Sequence, residues 1–328
     1  MLDTVRLFTR DFDIARNNKF QTQTLADCAT GEIKSERTFC NIPHGGRFNI
    51  KPQGSERCLL FEASLPKLIY ETSLTELKAS DFERCVDAVR GQFVAAGAVI
   101  DKQSFESLAV SRLDYCRNIQ VDHNIVDYLA LLKNCSFGGR VGTSWQTETV
   151  TFFNKSQELC LYNKILEVKQ DARQSAAAGV RSDTPENVLR IESRMKAADV
   201  VRRSIHRRTF SECFDFDVAR SKLLSEFDKL IHDTGRQLEL NFNDDLLRLR
   251  ELKDTVRYSW REFITCKGMP LFLMQYNNDL ELIKKLLLSA YSRRHAYDIL
   301  RDIKDFMSEN RTQQERHLLD ELKLKLAA

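Results

Sequence analysis

The sequence predicts an α+β fold, with an antiparallel-sheet domain and its covering helices over residues 1–208 and an all-α domain over residues 209–328. Three observations predict it. Up to about Arg203 apolar and polar residues mostly alternate, the period of a half-buried strand, whereas beyond Asp215 apolar residues recur at helical spacing. Strand-like stretches follow one another closely with few helices between them, which favours an antiparallel sheet covered on one face. Over 328 residues, 42% hydrophobic and 30% charged content is enough to bury a core.

Taken in order, strands are expected near Thr4–Phe12, Lys19–Thr24, Arg37–Ile42 and Arg57–Leu65, with Pro43–Gly46 and Pro52–Gly54 as turns. A helix is expected over Thr75–Phe93, where Leu77, Phe82, Val86, Val89 and Phe93 share a stripe, and Gly97 is its stop. Then come a strand at Ser107–Arg117, a short helix at Asn124–Lys133, and strands at Thr147–Asn154, Glu158–Lys169 and Val188–Met195. Asn154–Gln157 reads as a hairpin turn and Gln174–Glu186 as a loop. Helices follow at Val218–His232, Leu246–Tyr258, Asp279–Ala290 and Glu315–Leu326. Leu282–Ile303 has the outline of a helix-turn-helix, with Arg293, Arg294 and His295 at the start of its second helix.

Composition excludes several classes. The longest apolar runs, such as Gln92–Ile100, fall short of the roughly 20 residues that a membrane span needs. The first residues open directly on an alternating pattern, so no signal or transit peptide is expected. The nine cysteines form no Cys-x-x-Cys pair, which fits small buried hydrophobes in a reducing cytoplasm better than disulfides or structural zinc. No phosphate-binding Gly-rich loop, Gly-x-Ser-x-Gly or His-Glu-x-x-His is present, and His44 in its turn reads as a surface residue. The formal charge of +3 is nearly neutral, yet Val201–Arg208 holds four arginines and no acid.

Four predicted strands carry charge on the face opposite their apolar residues. Glu62 faces away from Leu59, Phe61, Ala63 and Leu65; Arg112 shares a face with Asp114; Arg190, Glu192 and Arg194 share another; Tyr162 and Lys164 share a fourth. If these strands are neighbours, carboxylates suited to Mg2+ or Mn2+, cationic side chains suited to phosphate, and a tyrosine converge on one surface, which describes phosphoryl transfer. Tyr70 and Tyr115 are rival tyrosines, and each Arg-x-acid pair taken singly also fits a solvated strand face with cross-strand ion pairs.

Four segments, in this order, resemble the replication initiators of filamentous phages and, more distantly, rolling-circle initiators of Gram-positive plasmids. Cys58–Ser64 resembles the family's Glu-bearing strand, Val110–Asp114 its Arg-x-Asp strand, Ser144–Phe152 with Leu159–Lys164 the hairpin bearing a nucleophilic tyrosine in a Tyr-x-Lys setting, and Val188–Arg194 the later Arg-x-Glu strand. The resemblance stops near Arg208 and implies a domain that nicks DNA. It implies Tyr162 as nucleophile, Lys164 as its activating or phosphate-binding partner, and Glu62, Asp114 and Glu192 as ligands of Mg2+ or Mn2+. The histidine pair of the better-known tyrosine nickases is absent from the sequence.

The implied reaction nicks one strand at an origin, leaves a 5′-phosphotyrosine and a free 3′-OH for a host polymerase working with a helicase, and later rejoins the strand without ATP. The expected partners are origin DNA in a bacterial host cytoplasm, those host enzymes and, for the helical half, DNA or a second copy in a homodimer. Arg112, Arg190, Arg194, Arg202, Arg203, Arg207 and Arg208 are the candidate DNA contacts, the last four reading equally as a solvated helix face. The alternative function is a DNA-binding replication or transcription regulator that does not cut, and a third reading is an interaction protein built on the helical half.

Overall fold

The computed structural model describes residues 1–26, 30, 33–42, 45–53, 56–100, 104–145, 148–174, 187–255, 260, 264, 269–276, 279–309 and 315–328. By contact the chain divides into two units, one of residues 1–120 and 153–224, the other of residues 121–152 and 225–328. The boundary read from sequence at Arg208 lies inside the first unit.

The first unit is built on an antiparallel sheet. Strand β1 (Leu2–Thr9) alternates from Thr4 onward, burying Val5 and Leu7, while Leu2 and Asp3 ahead of Thr4 are both buried. Further strands are β2 (Asp13–Ile14), β3 (Gln21–Ala26), β4 (Ile33–Asn41), β5 (Arg47–Gln53) and β6 (Glu56–Ser64), followed by helices α1 (Leu65–Tyr70) and α2 (Phe82–Ala96). After the short β7 (Ala98–Val99) comes the long β8 (Ala109–Gln120). In the second unit lie α3 (Ile125–Lys133), β9 (Val141–Trp145) and most of β10 (Thr149–Phe153). The first unit resumes with β11 (Gln157–Asn163), α4 (Lys164–Gln174), β12 (Val188–Met195), α5 (Ala198–Ile205) and α6 (Phe210–Cys213). Within that unit the strands lie in the order β3-β4-β5-β6-β1-β8-β12-β11, every neighbouring pair antiparallel.

Helix α2 covers one face. Its stripe of Val86, Val89, Phe93 and Ala96 is buried, and the Phe93 ring lies 5.0 Å from Phe48 on β5 and 5.4 Å from Phe61 on β6. Gly97 ends the helix at φ 77°, a conformation in which a Cβ is strained. Gly46 is needed for space, since a Cβ there would overlap the Phe61 ring. The outer face of β6 carries Glu62, as the alternation requires.

Several expectations change. The helix expected from Thr75 starts at Phe82, because Thr75–Lys78 are non-helical and Asp81, whose carboxylate accepts from the Lys78 N–H at 2.7 Å, closes a 3-10 turn first. The strand expected to run to Lys169 stops at Asn163, whose side-chain oxygen accepts from the backbone N–H groups of Ile165 and Leu166 and starts α4. Pro52 lies within β5 instead of in a turn. The two helices expected over Val218–Tyr258 are one, α7 (Phe216–Thr255). The turn at Asn154–Gln157 is present, with Asn154 accepting from the N–H groups of Ser156 and Gln157. His44 and most of the expected loop over Gln174–Glu186 lie outside the described residues.

In the second unit, helix Glu315–Ala327 ties to the segment before and within α3: Glu321 accepts from the Asp122 N–H at 3.0 Å and from the Tyr128 hydroxyl. Helices Leu280–Ala290 and Arg293–Glu309 share a core with Leu249, Trp260, Phe272 and Tyr276. Among the described residues, no helix is long and apolar enough to cross a membrane. The described cysteines are buried free thiols, and burial pushes Cys85 up to about 12 and Cys116 up to about 11.

Phe93→Ala opens a cavity under the aromatic cluster and is expected to cost about 3–5 kcal/mol. Equilibrium urea unfolding followed by circular dichroism measures it, and a loss below about 1 kcal/mol would contradict the packing described.

Candidate active site

The sheet order makes neighbours of the strands whose outer faces carry charge. β1 lies between β6 and β8, placing Arg6 opposite both Glu62 and Arg112. β12 lies between β8 and β11, placing Arg194 opposite Asp114 and Glu158, Glu192 opposite Cys116 and Cys160, and Arg190 opposite Tyr162. One face thus gathers Glu62, Asp114, Glu192, Glu158 and Tyr162 among Arg6, Arg112, Arg190 and Arg194.

Guanidinium groups stitch the carboxylates together. Arg112 binds Asp114 through two nitrogens, at 3.1 and 2.7 Å, and reaches Glu62 at 3.2 Å. Arg6 pairs with Glu62 from the neighbouring strand. Arg194 lies 3.1 Å from Glu192 and 3.4 Å from Glu158, which Lys196 also contacts. The Tyr162 hydroxyl donates to Glu192 Oε2 at 3.1 Å.

Depth divides the face. Arg6, Arg112, Arg194 and Glu62 are partly exposed, whereas Tyr162 is 8% exposed and Lys164 and Arg190 are each 1% exposed. The cover at that end includes the segment after α1: the Ser73 carbonyl accepts from Arg190 at 3.4 Å, and the Leu74 carbonyl accepts from the Asn118 amide at 2.8 Å. Lys164, in the first turn of α4, lies 5.7 Å from the Tyr162 ring centre and pairs with Glu167. It therefore meets Tyr162 from a helix and not, as the sequence suggested, from the same strand face. Arg190 also approaches Asp3, which Ser64 anchors with a 2.8 Å hydrogen bond.

Burial sets the proton affinities. It drives the Tyr162 hydroxyl well above its ordinary value, with Glu192 adding to the rise and Arg190 opposing it. Burial, then the Arg190 charge, lowers Lys164. Burial would raise Asp3, but Arg190 and Lys164 outweigh it and hold the carboxyl low. Asp114 is pushed up to about 7, mainly by burial and then by Glu192, against the hydrogen bonds from Arg112. Two buried donors, Nε of Arg190 and Nε of Arg194, have no hydrogen-bond partner among the described residues.

The carboxylates do not form a metal cage in this arrangement. Arg112 stands between Glu62 and Asp114, Glu192 is held by Arg194 and Tyr162, and among the described residues no group of three or more His, Cys, Asp or Glu is placed to hold an ion. The donor set as it stands does not fit a resident Mg2+ or Mn2+.

Neither rival tyrosine reaches this face. Tyr115 lies on the opposite side of β8 from Asp114, donating to the Cys213 carbonyl at 2.9 Å, and Tyr70 donates to Asp81 at 2.5 Å. The cluster Arg202, Arg203, Arg207 and Arg208 is also elsewhere. Helix α5 buries Val201 and Ile205, and its Ser204 accepts from Gln157, which points opposite to Glu158. Arg203 pairs with Asp199 at 2.5 Å and Arg207 with Asp215 at 3.5 Å, while Arg202 and Arg208 are exposed. Sequence reasoning missed Arg6, Glu158 and Asp3. The first two were readable from alternation, but Asp3 was not, because β1 breaks register between Leu2 and Val5.

Residues 11–212 match the family described as the N-terminal region of a phage replication-associated protein. No curated protein matches the chain. The matched stretch contains Glu62, Asp114, Tyr162 and Glu192.

A carboxyl whose folded pKa is raised binds more protons folded than unfolded between the two values, so stability falls as pH rises through that window. For Asp114 the window runs from 3.8 to about 7. Asp114→Asn, which still accepts from Arg112, is expected to flatten the pH dependence of the urea midpoint there. An unchanged slope would show that Asp114 is not the group responsible.

Proposed function

The chain belongs to the phage replication-associated protein family whose N-terminal region it matches, and on that premise we propose that it nicks and rejoins one DNA strand at a phage or plasmid origin through Tyr162. The observation that carries the proposal is the Tyr162 hydroxyl on the Glu192 carboxylate, set among guanidinium groups of which two have an unpartnered N–H. An unpartnered buried donor costs about 1–3 kcal/mol, and a phosphate oxygen would relieve that cost.

In the proposed step Glu192 takes the phenolic proton, and the Tyr162 oxygen attacks phosphorus in line. A new P–O(Tyr162) bond forms while the P–O3′ bond breaks, and the departing 3′-oxygen is protonated from water. Arg190 and Lys164 neutralise the phenolate, and the partly exposed Arg112 and Arg194 hold the phosphodiester. The tyrosyl ester keeps the bond energy, so the reverse attack by a 3′-OH rejoins the strand. The outward arginines serve as phosphate contacts; Arg190, deeply buried, acts on the tyrosine and not on an outlying backbone. Because Tyr162 is covered, locally single-stranded DNA must part the cover at residues 71–76 or at α4. A host helicase and polymerase act on the displaced and free strand ends.

The burial of Tyr162 also favours a second reading, a regulator that binds DNA without cutting it.

The assay incubates wild type, Tyr162→Phe and Glu192→Gln with single-stranded oligonucleotides tiling the replicon that encodes the chain, and resolves covalent adducts on denaturing gels. Parallel reactions with Mg2+, Mn2+ or a chelator read the implied metal assistance directly. Wild type is expected to form an adduct on one oligonucleotide, Tyr162→Phe none, and Glu192→Gln an adduct slower by about 10²-fold or more. Adduct retained in Tyr162→Phe overturns the nucleophile, and DNA binding without adduct in wild type selects the regulator.

A further inference from the structure

We propose that the second unit carries a site for double-stranded DNA, in which the exposed face of helix Arg293–Glu309 enters the major groove as the second helix of a helix-turn-helix. The inference rests on the reading that this protein acts on DNA, but not on Tyr162. Helices Leu280–Ala290 and Arg293–Glu309 are joined by Tyr291 and Ser292 alone. Asp279 caps the first helix by accepting from the N–H groups of Glu281 and Leu282 at 3.0 and 3.1 Å, and Tyr291 is extended, at φ −124°, which interrupts the helical backbone between the two.

The inner faces are fully committed. Ile283, Leu286, Leu287 and Ala290 pack with Ala296, Ile299, Leu300 and Ile303 in one buried cluster. The two helices are thereby fixed on a core, as a groove-reading pair requires, and the other residues of the second helix from Arg293 to Asp305 are exposed.

Charge identifies what that outer face fits. Arg293, Arg294 and His295 are exposed, the first turn of the helix holds no acid, and no ion pair engages Arg293 or Arg294 among the described residues. A helix N-terminus carries partial positive charge and disfavours cations, so folding alone gives no reason to place two unpaired arginines there. A polyanion does. The acids of this helix come later, at Asp298, Asp302, Asp305 and Glu309, and Asp298 is engaged by Arg301 at 3.3 Å. The positive end is therefore the N-terminal end, the end of a recognition helix that meets base edges. On the first helix Lys285 is exposed and lies 5.7 Å from the Phe242 ring, suited to the crossing backbone.

The test measures anisotropy of a labelled random-sequence duplex of about 30 base pairs, and of a single strand of the same length, against the full chain over a salt series. R293A/R294A is expected to weaken duplex binding roughly tenfold and to lower the slope of log affinity against log salt by about 2, while R293K/R294K keeps most of both. Single-strand binding is expected to stay within about twofold of wild type, and thermal melts of the variants to overlay. Duplex affinity and slope unchanged in R293A/R294A would overturn the site. So would equal loss of duplex and single-strand binding, which would mark an unselective basic patch. Failure of wild type to form an adduct would sink the nicking proposal and leave this one to the duplex data.

Discussion

A strand buried on both faces can be charged on one of them only if every charge meets a counter-charge, because an unpaired ion in the interior costs several kcal/mol. β12 is such a strand. Six of its residues from Val188 to Ser193 are buried, and they include Arg190 and Glu192. Arg190 is answered by Asp3 from β1, Glu192 by Arg194 from its own strand, and Asp114 on β8 by Arg112. These pairings hold only in one register. A slip of one residue on β12 would turn Arg190, Glu192 and Arg194 into the apolar side and Leu189 and Ile191 out of it. The interaction that fixes the sheet is thus the one that builds the site.

Most of the outer face was legible from alternation alone. Glu62, Asp114 and Glu192 could be assigned to the side away from the core without knowing which strands pair. What alternation cannot supply is strand order, and hence the role of β1 between β6 and β8, which brings in Arg6 and Asp3. Nor can it supply depth. Nothing local to Tyr162 says that residues 71–76 help bury its end of the sheet, since those contacts span long sequence separations. The position of Lys164 was misread because Leu159–Lys169 sustains an apolar pattern compatible with either period, and the capping by Asn163 decides it. The long helix α7 was read as two because Leu238, Leu240 and Phe242, between its two helical stripes, follow one another at period two. In the helical half the pair of helices around Tyr291 was legible, because their stripes and the Asp279 cap agree.

The chemistry follows from the same charge balance. In a face where guanidinium groups already occupy the space between carboxylates, the phosphodiester of the proposed reaction would compete for arginines that are engaged with acids, Arg112 and Arg194 being the two partly exposed ones that bridge them. Burial raises the proton affinity of Asp114, so it would release Arg112 at lower cost than a carboxylate held fully ionised. Tyr162 is kept protonated by its burial, so under the proposed reaction it would attack only once its surroundings change.

The central claim is that Tyr162 becomes covalently joined to DNA, and tandem mass spectrometry of the trapped adduct tests it most directly. After nuclease trimming and tryptic digestion, cleavage following Lys155 and Lys164 releases the peptide Ser156–Lys164, in which Tyr162 is the sole tyrosine. A nucleotide mass on that peptide, localised to Tyr162, is the result predicted here. The same mass on a peptide containing Tyr70, Tyr115 or any other tyrosine would contradict the account.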